Sequence, residues 1–459
     1  MKKTLKAGLC ALAVILAGSA VKADTLFDVL AQTYQTSPTL QANQAYLRAV
    51  DERVGQAKSS WRPYIGLQGN ASYADQRFKN HPQYDKFSYD NDMYDAGAVI
   101  KQSVFSGFKT MSAVDLAEAN VLMEREKLRQ TEQSVLLSAA VATVDVIQKR
   151  ALLDLQKNQE QVLERHYKSY QKRFNVGELT KTDVAQAEAR LKGAIAARIE
   201  AEGNLETAVA AYVNVVGQKP AKKIEINELK EFLPKNLDAV VDSMKQNNPS
   251  LKAAQYSVEV ADYNISLQRG DLLPSLDVSA GAGFQWGQPI PGPDGGNDYD
   301  GNYWQVGATL SVPLYQGGGE YAKLREAKQL ENQARILLVQ TERELTKTAT
   351  QAWEVYQSTK ASMDAIKSQI KASKMALDGV IREADVGSRT VLDVLDAEQE
   401  YLNYRVNLVS AERNMTVAAL SLLSSVGKMT ADSLKLNVDQ YNVNAYYDDV
   451  AGKLIGSGI

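Results

Sequence analysis

The sequence is organised around the stretch Val386–Glu398, VGSRTVLDVLDAE, which has a counterpart upstream at Val176–Glu188, VGELTKTDVAQAE. Both copies fit the pattern V-G-x-x-T-x-x-D-V, and both end in Ala-Glu. In each copy the glycine closes a long run that contains almost no Gly or Pro, and another helical pattern follows. This arrangement predicts a sharp turn at the end of a helical hairpin.

The two turns belong to a duplication that extends through most of the chain. Pro38 and Pro63 lie 25 residues apart, and so do Pro249 and Pro274. One offset of about 210 residues relates these prolines and the two turns. We therefore interpret the chain as an internal tandem duplication.

The N-terminus predicts an export signal. A basic start is followed by an apolar run too short to span a bilayer and by the small-residue site Val21-Lys-Ala23. We expect residues 1–23 to be removed, so that the mature chain begins at Asp24. Cys10, the only cysteine, has most of the apolar run after it and is therefore badly placed for lipid attachment.

Charge and residue content argue against a nucleic-acid-binding protein or an enzyme. Loss of the four lysines of the signal takes the formal net charge from -3 to about -7, which gives no reason to expect nucleic acid as a partner. The two histidines are His81, in a predicted loop, and His166, alone on a predicted long helix. With no mature thiol, phosphate-binding loop or metal-ligand spacing, we expect no catalytic residues, no cofactor and no structural metal.

Two segments in each half of the chain alternate apolar and polar residues with a period of two, as strands do. A loop is predicted between them at 79–93 in the first half and at 287–302 in the second. Runs of about 11 residues with aromatic ends suit tilted membrane-spanning strands. A soluble sandwich alternates in the same way, but small polar residues on one face favour a water-filled lumen. The predicted strands are 64–78, 94–106, 275–286 and 303–314.

Unusually long helices are predicted between the strand pairs. Phe108 to Val176 contains no Gly or Pro, and at 1.5 Å per residue roughly 65 residues make about 100 Å of helix. Seven-residue repeats predict supercoiled packing against neighbouring helices. These repeats include Val114, Val121, Leu128, Val135 and Ala142, and later Val394, Tyr401, Leu408, Met415 and Leu422.

These patterns predict the organisation of the mature chain and its assembly. Four strands cannot close a barrel, and an open sheet edge in lipid leaves backbone groups unsatisfied. Strands that cross a membrane would therefore require a closed oligomer, and three copies would supply twelve. The predicted segments are a first repeat at 24–217 with its helical hairpin at 108–217, a connecting segment at 218–248, a second repeat at 249–427 with its hairpin at 318–427, and a C-terminal connecting segment at 428–459.

Three features of the sequence carry a resemblance to a known family: the duplicated turns, the paired Pro-centred helix-to-strand junctions, and Ser-Val-Pro-Leu-Tyr-Gln-Gly-Gly at 311–318. Nearly the whole mature chain resembles the TolC family of outer-membrane efflux and secretion channels. The resemblance implies an α+β membrane protein that forms a homotrimer. Its 12-stranded outer-membrane β-barrel, with four strands per chain, would continue into a periplasmic coiled-coil barrel of long helices. A mixed α/β equatorial region would circle those helices.

The resemblance also implies a function at the Gram-negative outer membrane, in contact with its lipid. The trimer would be the exit duct of a tripartite efflux pump or a type I secretion system, passing drugs, small molecules or proteins. A periplasmic adaptor would connect it to an inner-membrane RND, ABC or MFS transporter. A structural or adhesive trimeric coiled coil at the cell surface would explain export and the heptads, but not four strands placed symmetrically in two halves.

At the hairpin tips the resemblance extends to single residues. Thr182 and Asp183 match positions that bond to an arginine of the second hairpin, which corresponds to Arg389. Asp393 and Asp396 share a helix face at i,i+3 and match rings of aspartates that would prefer cations and allow cation block. Acidic residues just after a helix start are also favoured by the helix dipole, and that ordinary role stays open.

The family has a tyrosine in its gate where this chain has Ala384, so one gate bond is missing or replaced. The exposed tip would meet the periplasmic adaptor, although glycine at this place also simply ends a helix. The expected adaptor-contact residues are Val176, Gly177, Thr180, Val386, Gly387 and Thr390.

Overall fold

The structure, a computed structural model, describes residues 24–81, 84–226, 229–287 and 299–456. The expected export signal at 1–23, with Cys10, lies outside these residues. Within the described ranges no helix is both long enough and apolar enough to cross a membrane.

The chain order of elements repeats a pattern of short helices, a strand pair and two long helices. The helices are α1 (Leu26–Thr36), α2 (Pro38–Ser59), α3 (Lys109–Asn175), α4 (Lys181–Val216), α5 (Leu237–Asn247), α6 (Pro249–Arg269), α7 (Gly319–Asp385), α8 (Val391–Ser425) and α9 (Ala445–Val450). The strands are β1 (Asp24–Thr25), β2 (Tyr64–His81), β3 (Tyr84–Phe105), β4 (Ile224–Glu225), β5 (Ser275–Gly287) and β6 (Tyr299–Ser311).

The duplicated prolines begin equivalent helices. Pro38 opens α2 behind Ser37, whose hydroxyl accepts a hydrogen bond from the Leu40 amide at 3.4 Å. Pro249 opens α6 behind Asn248, whose side chain accepts from the Ser250 amide at 2.9 Å. A proline has no amide hydrogen to leave unsatisfied in the first helical turn, so both helices start at the position their sequence favours.

The four long strands form one antiparallel sheet in the order β2-β3-β5-β6. The interpretation of 79–93 as a loop is wrong, because β2 continues to His81 and β3 starts at Tyr84. The cross-strand hydrogen bonds continue through polar residues, as in the pairing of Ser72 with Met93.

The second strand pair differs from the prediction at the loop between its strands and at the end of β6. Of the predicted loop 287–302, residues 288–298 lie outside the described part of the chain, while 299–302 belong to β6. This strand ends at Ser311, before the predicted end at 314. Pro313 explains the earlier end, since a proline cannot donate a hydrogen bond to a neighbouring strand.

The register gives the sheet one apolar and one polar face. Leu67 lies opposite Ala98, Ala98 opposite Ala282, and Ala282 opposite Trp304, so one apolar row crosses all four strands. In this single chain Leu67 is 89% exposed and Trp304 is 80% exposed. The opposite face carries Gln68, Gly97, Gly283 and Tyr303 in the neighbouring row. An apolar face this exposed requires an apolar environment or a covering surface.

The chain forms two compact units, each built from three segments. The first takes the described residues within Met1–Gln35, Ser138–Glu231 and Met363–Val417, and the second takes those within Thr36–Leu137, Phe232–Ser362 and Ala418–Ile459. A buried cluster of the first unit comprises Leu163, Tyr170, Ala187, Leu191, Ala194 and Leu395. A buried cluster of the second comprises Val50, Val54, Ala117 and Val121.

The heptad prediction for α3 holds only over its first part. Val114, Val121 and Leu128 are buried, but Val135 is only half-buried, and the next residue, Leu136, is fully buried instead. A helix with 3.6 residues per turn drifts relative to a strict seven-residue repeat, which accounts for a buried stripe that moves by one residue.

The second unit contains a buried carboxylate beneath the C-terminal helix α9. Asp51 of α2 is 0% exposed, and within the described residues neither of its carboxylate oxygens has a hydrogen-bond partner. Burial raises the pKa of Asp51 to about 6, against the opposing charge of Arg125 and with a smaller contribution from Glu52. The Arg125 guanidinium lies 5.4 Å from the ring centroid of Tyr447 in α9. The charged form of Asp51 therefore weakens the packing under α9.

We predict that Asp51→Asn stabilises the protein at pH 8 by about 1–3 kcal/mol and changes little near pH 4. The folded-state pKa lies above the unfolded value, so the favourable protonated form is lost as pH rises through about 6. Thermal unfolding in detergent, followed by circular dichroism across this pH range, measures the difference. A variant that is less stable than the parent at pH 8, or equally shifted at both pH values, would contradict the prediction.

Candidate functional site: the hairpin tips

Both helical hairpins end in the same backbone turn. Gly177 has φ +83° and Gly387 has φ +79°, values that only glycine adopts without strain. The Glu178 amide donates to the Arg173 carbonyl at 2.9 Å, and the Ser388 amide donates to the Glu383 carbonyl at 2.9 Å. This is the six-to-one hydrogen bond of a Schellman motif, which satisfies carbonyl groups at a helix end.

The helix after each turn starts with a reciprocal cap. The Asp183 amide donates to the Thr180 hydroxyl at 3.2 Å, and the Thr180 amide donates to the Asp183 carboxylate at 2.9 Å. Thr390 and Asp393 make the same two bonds at the start of α8, at 3.2 and 2.8 Å. Hydrogen bonds from the Thr390 backbone and then its hydroxyl hold the pKa of Asp393 below its ordinary value. Asp183 and Asp393, two of the three predicted gate aspartates, thus each have a structural role as part of a helix cap.

An ion pair also spans each turn, with its charges reversed between the two hairpins. In the first, the Arg173 Nε lies 3.0 Å from a Glu178 carboxylate oxygen. In the second, the Arg389 Nε lies 2.8 Å from a Glu383 carboxylate oxygen. Arg173 and Glu383 are equivalent positions of the duplication, but their partners are not, since Glu178 corresponds to Ser388 and Arg389 to Leu179. The two pairs therefore have opposite polarity and are not copies of each other.

Arg389 is therefore engaged within its own hairpin. In the described part of the chain its hydrogen bond goes to Glu383, and it is not brought to Thr182 or Asp183. Glu383, which directly precedes Ala384, thus supplies a partner for the arginine within its own hairpin.

Near the tip, an ion pair and a histidine–carboxylate contact join helix α8 to the first hairpin. The Arg190 Nη2 of α4 lies 2.6 Å from the Asp396 Oδ1. The His166 Nε2 of α3 lies 2.8 Å from the Glu398 Oε1, so the expectation that this histidine stands alone is wrong. Leu395 directly precedes Asp396 in the sequence and packs in the buried cluster of the first unit. The polar contacts thus lie beside an apolar contact between the hairpins.

Asp393 and Asp396, which were predicted to act together, have different hydrogen-bond partners. Asp393 is bonded to Thr390 of its own helix, whereas Asp396 is paired with a cation of the other hairpin. Sequence reasoning missed Arg190 and His166 because their partners lie 206 and 232 residues away.

The tip presents apolar side chains to solvent. Val176 is 72% exposed and Val386 is 80% exposed in the single chain. A Cβ added at Gly177 or Gly387 would meet nothing within 4 Å, so the backbone of both turns is accessible. Among the described residues, no group of three or more His, Cys, Asp and Glu side chains could hold a metal ion.

Two hairpins of long helices and a four-stranded antiparallel sheet give this chain the fold of outer-membrane channels. The structure of the outer-membrane channel OprN matches with a TM-score of 0.75 at 18% identity, covering 88% of this chain and 89% of that chain. The model of the outer membrane efflux protein family matches residues 29–218 and 240–428.

Relatives agree with the family match. The chain is 35% identical to the outer membrane efflux protein BepC of Brucella suis biovar 1 (strain 1330), covering 99% of this chain and 96% of that protein. It is 26% identical to the outer membrane protein TolC of Escherichia coli (strain K12), covering 91% and 85%. The chain belongs to the outer membrane efflux protein family. It is a TolC-type efflux or secretion channel of the outer membrane, extends into the periplasm and is not an enzyme.

We predict that Thr390→Ala loosens the start of α8 without unfolding the hairpin. Loss of a helix cap costs about 1 kcal/mol, which corresponds to about fivefold faster amide exchange in the first turn. Hydrogen exchange with mass spectrometry would show the change in peptides covering residues 391–395. Thr180→Ala should act in the same way on α4, whereas Thr182→Ala, which removes no cap, is the matched control. Unchanged exchange in Thr390→Ala would contradict the capping role.

Proposed function

We propose that the chain works as a homotrimer that forms the exit duct of a tripartite efflux pump or a type I secretion system. The duct carries drugs, small molecules or proteins that an inner-membrane RND, ABC or MFS transporter delivers. A periplasmic adaptor protein connects that transporter to the hairpin tips. The class of the protein is established by its family, and the assembly and its partners are the proposal.

The observation that carries the proposal is the open sheet with an exposed apolar face. β2 and β6 are its outer strands, and each has one edge that no described strand of the chain covers. All neighbouring strands are antiparallel, so β6 of one copy can pair with β2 of the next in the same sense. Three copies close twelve strands into a barrel. The apolar row through Leu67 and Trp304 then faces lipid, and the row through Gln68 faces water.

The hairpin tips support docking of an adaptor. Exposed Val176 and Val386 offer apolar contacts, and the glycine after each leaves backbone groups accessible. Thr180 and Thr390 fix the shape of this surface through their caps. The docking surface is proposed to comprise Val176, Gly177, Thr180, Val386, Gly387 and Thr390.

The tips of the resting trimer are also proposed to form its gate. Arg389 helps to close the ring, with Thr182 and Asp183 as its partners on a neighbouring hairpin. On assembly Arg389 would leave Glu383 and bind these groups instead. This change of partner is favourable if several charge-assisted hydrogen bonds replace one exposed ion pair. Asp393 and Asp396 line the throat just inside this closure.

Single-channel recording in planar bilayers tests both the channel and the gate. The parent protein should give discrete conductance steps, because a closed barrel with a water-filled lumen conducts and an adhesive coiled coil does not. Arg389→Ser should raise the conductance several-fold, because the tip loses a closing contact in all three copies at once.

The matched control is Arg173→Ser, which removes the ion pair across the turn of the first hairpin and should leave the conductance unchanged. Equal conductance of Arg389→Ser and the parent would place the gate elsewhere. Complete absence of conductance steps in the purified oligomer would contradict the duct itself.

A further inference from the structure

The Arg190–Asp396 ion pair concerns the charge of the throat rather than the stability of the chain. Its two side chains are 40% and 57% exposed, and ion pairs with that exposure contribute little to stability. The 2.6 Å distance nevertheless places a full positive charge directly against one of the two carboxylates predicted to attract cations. The pair is therefore accessible to ions and electrically compensated.

The duplication shows that this charge compensation has no counterpart at the equivalent positions of the two repeats. The position equivalent to Arg190 in the second repeat is Glu400, and the position equivalent to Asp396 in the first is Gln186. A glutamate and a glutamine cannot form the reciprocal ion pair. The contact was therefore not copied with the hairpin, and Arg190 contributes a cation where its duplicate has an acid.

The neighbouring carboxylate has no comparable compensation. Asp393 accepts hydrogen bonds from the backbone and hydroxyl of Thr390, both of which are uncharged donors. Arg389 acts on it only as a more distant charge, since its own hydrogen bond goes to Glu383. The negative charge of Asp393 is therefore left without a paired cation, whereas the charge of Asp396 is balanced by that of Arg190.

We propose that Arg190 is a specificity-determining residue of the channel: by pairing with Asp396 it lowers the affinity of the periplasmic throat for cations and leaves Asp393 as the acidic ring that ions meet. This inference rests on the proposed trimeric duct, in which both aspartates line the pathway. In the proposed trimer, removal of Arg190 leaves three Asp396 carboxylates without their cation. A trivalent cation responds strongly to such a change, even with screening by salt.

The experiment uses the full-length channel in planar bilayers with lanthanum(III) chloride added on the periplasmic side. Arg190→Gln should lower the concentration for half-block by about tenfold or more. Arg190→Lys should keep the parent value, because it retains the charge. Adding Asp396→Asn to Arg190→Gln should return the block to the parent level, because the released carboxylate is then removed.

The matched control is Arg198→Gln on the same helix. Arg198 also forms ion pairs, with Glu160 and Glu202, but both partners lie in the first hairpin. Its substitution should leave lanthanum block unchanged. If Arg198→Gln tightened the block as much as Arg190→Gln, the effect would be one of overall charge and the inference would be wrong.

The failures of the inference and of the proposed duct are distinguishable. If Asp393→Asn weakened the block while Arg190→Gln left it unchanged, the throat would stand and the role of Arg190 would be overturned. If the channel conducted but neither Asp393→Asn nor Asp396→Asn altered the block in any background, the throat itself would lie elsewhere, and the inference would fail with it. Equal thermal stability of the variants and the parent would show that a fold defect is not the cause.

Discussion

Backbone hydrogen bonding at the two outer strands is the constraint on which the rest of this architecture depends. A strand edge in lipid has no water to satisfy its N–H and C=O groups, so a four-stranded sheet cannot stand there as an open sheet. The antiparallel order β2-β3-β5-β6 leaves edges of compatible direction at its two ends. In the proposed oligomer, closure by copies of the same chain would satisfy these edges and would give each face of the sheet a consistent environment.

The duplication allows a single structural solution to be used twice and then modified. Both hairpins end in glycine with positive φ and restart with the same Thr-Asp cap, so their backbone geometry is shared. The charges placed on this frame differ. The pair across the turn is reversed in polarity, and the Arg190–Asp396 pair has no counterpart at the equivalent positions of the other repeat. The side chains at the two tips therefore differ although their backbone is shared.

Much of this fold was predictable because its signals are local. Glycine at a helix end, proline at a helix start and period-two alternation each have a direct backbone cause, and they located the hairpin turns and the strand pairs. The extent of β2 and β3 was not predictable in the same way, since cross-strand pairing continues through polar residues such as Lys79 and Asp90. The burial change from Val135 to Leu136 likewise depends on the neighbours that α3 meets.

At the hairpin tips, too, contacts between residues close in the sequence were predictable and contacts between the two hairpins were not. Thr180 and Asp183 are three residues apart, and their cap is evident from the sequence. The partners of Asp396 and Glu398 come from another hairpin and break the repeat symmetry, so no periodicity or motif indicates them. Glu383 was also not predicted as the partner of Arg389, because the family resemblance implied a partner on the first hairpin.

Closure of β6 onto β2 of a neighbouring copy is the central claim, and disulfide mapping in the outer membrane tests it most directly. Gln68→Cys on the water-facing row of β2 is combined in turn with Tyr303→Cys, Gln305→Cys or Gly307→Cys on the same face of β6. The account predicts that one of these registers gives covalent species of up to three chains under non-reducing conditions, and that each single variant gives none. No intermolecular disulfide at any register, or species limited to two chains, would contradict it.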